Sequence, residues 1–166
     1  MKRIAVLVFA LGLIIPASAL AFTGRIVNLG DATLTAAVTD QIITSSVSAQ
    51  SVTITYIDRL EGMNALTFEA RLVYGSGGTS LKVDLYTTID QGTNWLPICR
   101  LAFTTSSALK VANVSGLTPK TTAAAVSVPS DDSCNDGILG DRLLVRITSV
   151  GTYGTNTTIS TRAAVR

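Results

Sequence analysis

The chain has 166 residues, of which 14% are charged and 47% apolar, with 13 basic residues against 11 acidic ones and no histidine. That length leaves room for one domain, and the charge is too sparse and too evenly balanced for a disordered tail or a nucleic-acid-binding surface. The lack of histidine excludes Ser-His-Asp and Cys-His nucleophiles, histidine-bearing zinc sites and an imidazole acid or base.

In chain order, residues 1–21 read as a signal peptide. Met1-Lys2-Arg3 is a short positive start, Ile4 to Ile15 is an apolar run stopped by Pro16, and Ala17-Ser18-Ala19 or Ala19-Leu20-Ala21 supplies the small-x-small pattern of a cleavage site. A retained hydrophobic segment, as an anchor or a buried N-terminal helix, is the alternative. Cleavage before Phe22 would remove two of the 13 basic residues, so that the remainder balance the 11 acidic ones. A neutral mature surface argues against nucleic acid and anionic lipid as partners.

Residues 22–51 are rich in Ala, Thr and Ser and read as an N-terminal arm or as first strands, with Ala32 to Val38 and Ile42 to Val47 as strand candidates. A helix across Ala32 to Gln50 is the competing reading, disfavoured by its Thr and Val content. The main domain is expected over residues 52–166, beginning with a strand from Val52 to Ile57. From Leu66 to Tyr74, Leu66, Phe68, Ala70, Leu72 and Tyr74 alternate with Thr67, Glu69, Arg71 and Val73, the period of a half-buried strand. Gly75-Ser76-Gly77-Gly78 then breaks the chain. Leu81, Val83 and Leu85 next alternate with Lys82, Asp84 and Tyr86, which predicts a hairpin partner whose wet face offers Lys82, Asp84 and Tyr86 for contacts.

Thr88-Ile89-Asp90-Gln91-Gly92-Thr93-Asn94-Trp95 predicts a tight turn. The Asp90 carboxylate can accept main-chain N–H groups, Gly92 can supply a positive φ, and Trp95 can fold back as an apolar plug. This segment resembles the Asp-box, Ser/Thr-x-Asp-x-Gly-x-Thr-Trp, with Asn94 in place of the usual Thr. In sialidases such boxes are structural and recur around a propeller, so a single copy implies a structural turn and no glycosidase site. Trp95 to Phe103 is apolar on both faces, as in a strand covered on both sides. Thr121 to Val128, Arg142 to Thr148 and Thr157 to Val165 complete the strand candidates. About eight or nine short strands at this spacing predict an all-β fold, an antiparallel β-sandwich of jelly-roll type.

Cys99 and Cys134, the only cysteines in a chain that looks exported, are expected to form one disulfide, two free thiols being the alternative. Around Cys134, Asp131, Asp132 and Asp136 are candidate calcium ligands. Asp132, Asp136 and Gly137 fall at the first, fifth and sixth places of an EF-hand loop, but Cys134 and Leu143 stand where ligands are required. A polar turn is the favoured reading. Tyr56, Tyr86 and Tyr153 are left as aromatic platforms for a glycan, Trp95 being assigned to the turn and Tyr74 to the core.

The stretch from Leu66 to Arg166 resembles small uncharacterised β-rich proteins encoded among tailed-phage structural genes. The likeness rests on Phe68-Glu69-Ala70-Arg71-Leu72-Val73-Tyr74-Gly75-Ser76-Gly77-Gly78-Thr79, the Asp-box-like turn, Gly137-Ile138-Leu139-Gly140-Asp141-Arg142 and Gly151-Thr152-Tyr153. It implies a non-catalytic virion component, a decoration or tail-associated module that meets copies of itself or other virion proteins, with no cofactor and no catalytic residue. The leader departs from that pattern, because tailed virions assemble in the cytoplasm. The alternative is an exported cell-surface or periplasmic module that recognises a glycan or a protein.

Overall fold

Alternation of more and less buried residues underlies the long strands Ala65–Val73, Ala108–Ser115 and Thr158–Val165. In the computed structural model, residues 24–43, 45–47, 52–54, 56, 57, 59–120, 126–154 and 156–166 are described. Residues 1–23, and with them the signal-peptide expectation, lie outside that set. The strands are β1 (Arg25–Thr33), β2 (Val38–Ile42), β3 (Ser45–Val47), β4 (Val52–Ile54), β5 (Ala65–Val73), β6 (Ser80–Thr88), β7 (Leu96–Phe103), β8 (Ala108–Ser115), β9 (Ser133–Cys134), β10 (Arg142–Val150) and β11 (Thr158–Val165). No described residue is helical.

Two antiparallel sheets run in the orders β1-β11-β5-β8 and β2-β10-β6-β7-β9, and β3 and β4 form a separate two-stranded ribbon. The topology is that of a jelly roll. A single long hairpin has β6 and β7 at its tip; its outgoing strands β1, β2, β5 and β6 pair with the returning β11, β10, β8 and β7. Rolling that hairpin sends successive strands to opposite sheets and stacks their apolar faces. Leu66, Phe68, Ala70 and Leu72 of β5, Ile159 and Ala163 of β11, Leu81, Val83 and Leu85 of β6, and Leu143, Val145 and Ile147 of β10 make the shared core. Each fully buried Leu, Ile or Phe among them stabilises the fold by about 1.5–3 kcal/mol.

Several expectations need correction. The strands expected at 66–74 and 81–86 do not form a hairpin: β5 and β6 lie in different sheets, and the Gly-rich segment between them crosses the sandwich. Both strands bury one face, and packing those faces against each other satisfies the same alternation as pairing would. The first strand begins at Arg25 and ends at Thr33, so that Leu34 to Ala37 cross to β2 instead of extending a strand to Val38. Of the strand expected over 121–128, residues 126–128 carry none and 121–125 lie outside the described residues. The strand that takes its place is β8, which the alternation failed to disclose because Leu109 and Val111 point outward while Ala108, Ala112 and Val114 point in.

The wet face assigned to Lys82, Asp84 and Tyr86 is largely dry. Asp84 is only 3% exposed and Tyr86 is buried, because β6 is the central strand of its sheet and the arginines beside it lie across that face. Arg100 of β7 binds the Asp84 carboxylate through both Nε, at 2.6 Å, and Nη2, at 2.7 Å. Arg146 of β10 covers the Tyr86 ring at 5.0 Å and reaches Asp40 of β2. Burial, with the charges of Asp84 and Asp40 nearby, pushes the Tyr86 phenol above its usual range. Lys82 is half-buried and pairs with Asp131 at 2.9 Å.

Candidate functional site at the long-loop end

Strand register divides the connections between two ends of the sandwich. At one end lie the described residues of the connections 34–37, 74–79, 104–107 and 151–157; at the other lie those of the connections 43–64, 89–95 and 116–141, the first and last of which are the long ones. Gly24 and Arg166 also sit at the second end, where Arg166 exchanges main-chain hydrogen bonds with Ala65. In a rigid sandwich, long loops gathered at one end are the usual place for binding residues.

The 88–95 turn organises that end. Thr88 Oγ1 donates to Asp90 Oδ1 at 2.6 Å and accepts from the Gly92 N–H at 3.1 Å. The Asn94 main-chain N–H donates to Asp90 Oδ1 at 2.9 Å, and the Asn94 side-chain amide to Asp90 Oδ2 at 2.6 Å. Asparagine at this place therefore supplies an extra donor to the carboxylate. Gly92 has φ +98°, and the Trp95 ring lies against it. The turn is also clamped from behind: a Cβ on Gly140 would meet the Thr88 carbonyl oxygen at 1.6 Å, so only glycine fits where the returning chain presses on the start of the turn.

Main-chain donation from Asn94, followed by the Thr88 hydroxyl and the Asn94 amide, lowers the Asp90 pKa from 3.8 to about 2. The ionised carboxylate thus supports the folded turn. That support is complete above about pH 4 and is lost as the pH falls through about 2. An NMR titration should give Asp90 a midpoint near 2; a midpoint near the ordinary 3.8 would mean that the carboxylate does not hold the turn.

Around this turn the structure gathers residues that the linear pattern did not connect. Arg142, the first residue of β10, donates to the Gln91 carbonyl and lies over the Tyr56 ring at 5.1 Å. The Tyr56 and Trp95 rings are 6.0 Å apart and tilted by 48°. Trp95 is half-buried and Tyr56 is 37% exposed. Ile89 is 71% exposed and stands between two clefts of about 270 and 350 Å³, which share it with Leu139. A third cleft, about 410 Å³, lies between Asp136 and Arg166. Of the expected glycan platforms, only Tyr56 belongs to this end; Tyr86 is covered as described, and Tyr153 is buried at the short-loop end, donating its hydroxyl to the Ser80 carbonyl.

The disulfide joins Cys99 of β7 to Cys134 of β9, directly opposite each other in the sheet. It ties the long 116–141 connection to the core. The acidic residues around it do not converge. Asp131 pairs with Lys82, Asp132 binds Lys110 at 2.6 Å and the Ala102 N–H at 3.0 Å, and Asp136 accepts the Ser115 N–H at 3.0 Å. The Lys110 hydrogen bond, aided by the Ala102 N–H, holds Asp132 below the usual carboxylate range. Three carboxylates thus act as three separate braces of the loop, and among the described residues no group of three His, Cys, Asp or Glu side chains is placed to hold a metal.

Chemically, this end offers an aromatic pair, a guanidinium and apolar clefts, groups suited to noncovalent contact. Tyr56 and Arg142 carried no shared motif, and neither did Ile89 outside the turn; the sequence signal for the site was the Asp-box alone. No family model, curated protein or solved structure matches the chain.

Proposed function

We propose that this protein is a non-catalytic assembly module, a jelly-roll component of a tailed-phage virion of the decoration or tail-associated kind. The observation that carries this reading is the edge strand β8, which presents Leu109 (58% exposed) and Val111 (54% exposed) beside the exposed Val73 of β5. Apolar side chains on an open sheet edge favour association with another protein. The jelly roll is also an architecture of capsid domains, and the resemblance of residues 66–166 to phage-encoded proteins points the same way. On this reading, purified protein forms oligomers and co-sediments with virions. A protein that remains monomeric and never accompanies particles would reject it.

A second reading, an exported surface module that recognises a glycan, is favoured by the Tyr56–Trp95–Arg142 cluster at the loop-rich end. Jelly rolls also serve as lectin domains, and an exposed tyrosine beside a guanidinium can stack on and hydrogen-bond a sugar. A glycan array should then give binding that Tyr56→Ala removes. A blank array would reject this second reading.

A further inference from the structure

We propose that β8 pairs antiparallel with β8 of a second copy, across a two-fold axis through Val111, so that two four-stranded sheets become one of eight strands. The proposal deepens the assembly reading and rests on it for the identity of the partner. Hydrogen bonding on both sides of β5 fixes which way the β8 main chain faces. Ala65 bonds to Arg166, so the odd-numbered residues of β5 face β11 and the even-numbered ones face β8. In β8, Ala108, Lys110, Ala112 and Val114 consequently bond to β5. Leu109, Val111, Asn113 and Ser115 turn their N–H and C=O groups to the open edge. Ser115 is already engaged there, its N–H by Asp136 and its carbonyl by the Gly137 N–H. Among the described residues, the main chains of Leu109, Val111 and Asn113 have no partner.

A second copy meets that edge in one register. With Val111 opposite Val111 of the other copy, Leu109 faces Asn113 and Asn113 faces Leu109, and all three residues exchange both main-chain bonds. The outer face of the seam carries Leu109, Val111 and Asn113, all uncharged. Glu69 and Arg71 sit one strand inward, beside Val111 and Leu109, so like charges from the two copies are kept three strand spacings apart. An inward-facing lysine on an edge strand normally deters such pairing. Here Lys110 is neutralised within its own chain by Asp132 and lies over the Phe103 ring at 5.5 Å. The other edge strands of the two large sheets lack this combination: β9 is two residues long, β1 is bulged after Asn28, and β2 carries Asp40 with φ +52°. A seam of three main-chain-bonded residues is far shorter than the roughly 20–30 residues a side of a standard interface, so association should depend strongly on concentration.

The test is register-specific cross-linking in the full chain. With Cys99 and Cys134 joined, Val111→Cys introduces the only free thiol. Under mild oxidation it should form a covalent dimer about tenfold faster than Thr33→Cys on β1, since facing residues in such a pair are spaced for a disulfide. Leu109→Lys combined with Val111→Lys alters outward side chains only and should give a folded monomer with an unchanged melting temperature. Oligomers that persist in the double lysine variant, with Val111→Cys no faster than Thr33→Cys, would overturn the β8 seam and leave the assembly reading standing. A monomer at millimolar concentration, together with absence from virions, would overturn both.

Discussion

Reducing the disulfide, or replacing Cys134 with serine, should destabilise the protein by about 3–4 kcal/mol, the chain-entropy value for a closed loop of this length. The bridge spans 35 positions and holds β9, the only part of the 116–141 connection that joins a sheet among the described residues. Without it, that segment keeps the Asn135 N–H to the Ile98 carbonyl, the Gly137 N–H to the Ser115 carbonyl and the braces made by Asp131, Asp132 and Asp136. Bonds of this kind contribute about 1 kcal/mol each and sit in or near solvent. Cys134→Ser is the milder variant, because Cys134 is only half-buried, whereas Cys99 is wholly buried and a serine there would put a hydroxyl in the core. Urea denaturation with and without reductant measures the difference. Coincident transitions would mean that the bridge contributes nothing or does not form.

Arg100→Leu should cost about 3 kcal/mol, because it leaves the buried Asp84 carboxylate without the guanidinium that binds it, the neighbouring Arg146 being paired with Asp40. Asp84 is 3% exposed, and both of its oxygens are bound by Arg100. Leucine fills much of the space of the arginine stem but supplies no donor. Asp84→Leu should cost less, since the Arg100 side chain is 20% exposed and can turn its charge toward water and Asp131. Combining the two substitutions should recover most of the loss, because an apolar pair of similar size has no charge to desolvate. Denaturant melts of the four proteins give a double-mutant cycle, and additive losses would show that the two side chains do not interact.

These two sites differ in how far they could be read from the chain. Two cysteines in an exported-looking sequence have one pairing to make, so residue identity alone suggested the bridge. Asp84 alternates with Val83 and Leu85 as any solvent-facing strand residue does, and nothing in the spacing marks it as buried. It becomes dry because β6 lies at the centre of a five-stranded sheet, with Arg100 directly opposite on β7 and Arg146 opposite on β10. Likewise, the turn from Thr88 to Trp95 was legible because every bond that Asp90 makes is within four residues. Its neighbours Tyr56 and Arg142 were not, being brought there by distant strands.

Local chemistry by itself thus determined the strand-forming character of the chain, the apolar face of β5, β6 and β10, the Asp90 turn and the choice of cysteine partners. Each of these depends on residue type, on a period of two, or on contacts only a few residues apart. The tertiary structure alone decided that β5 and β6 belong to opposite sheets, that Lys110 is neutralised by Asp132, and that β8 stands at an edge with Leu109 and Val111 outward. An alternating strand is equally satisfied beside its neighbour or facing it across the core. Which of the two occurs depends on how the whole hairpin rolls, and that is settled by long-range packing.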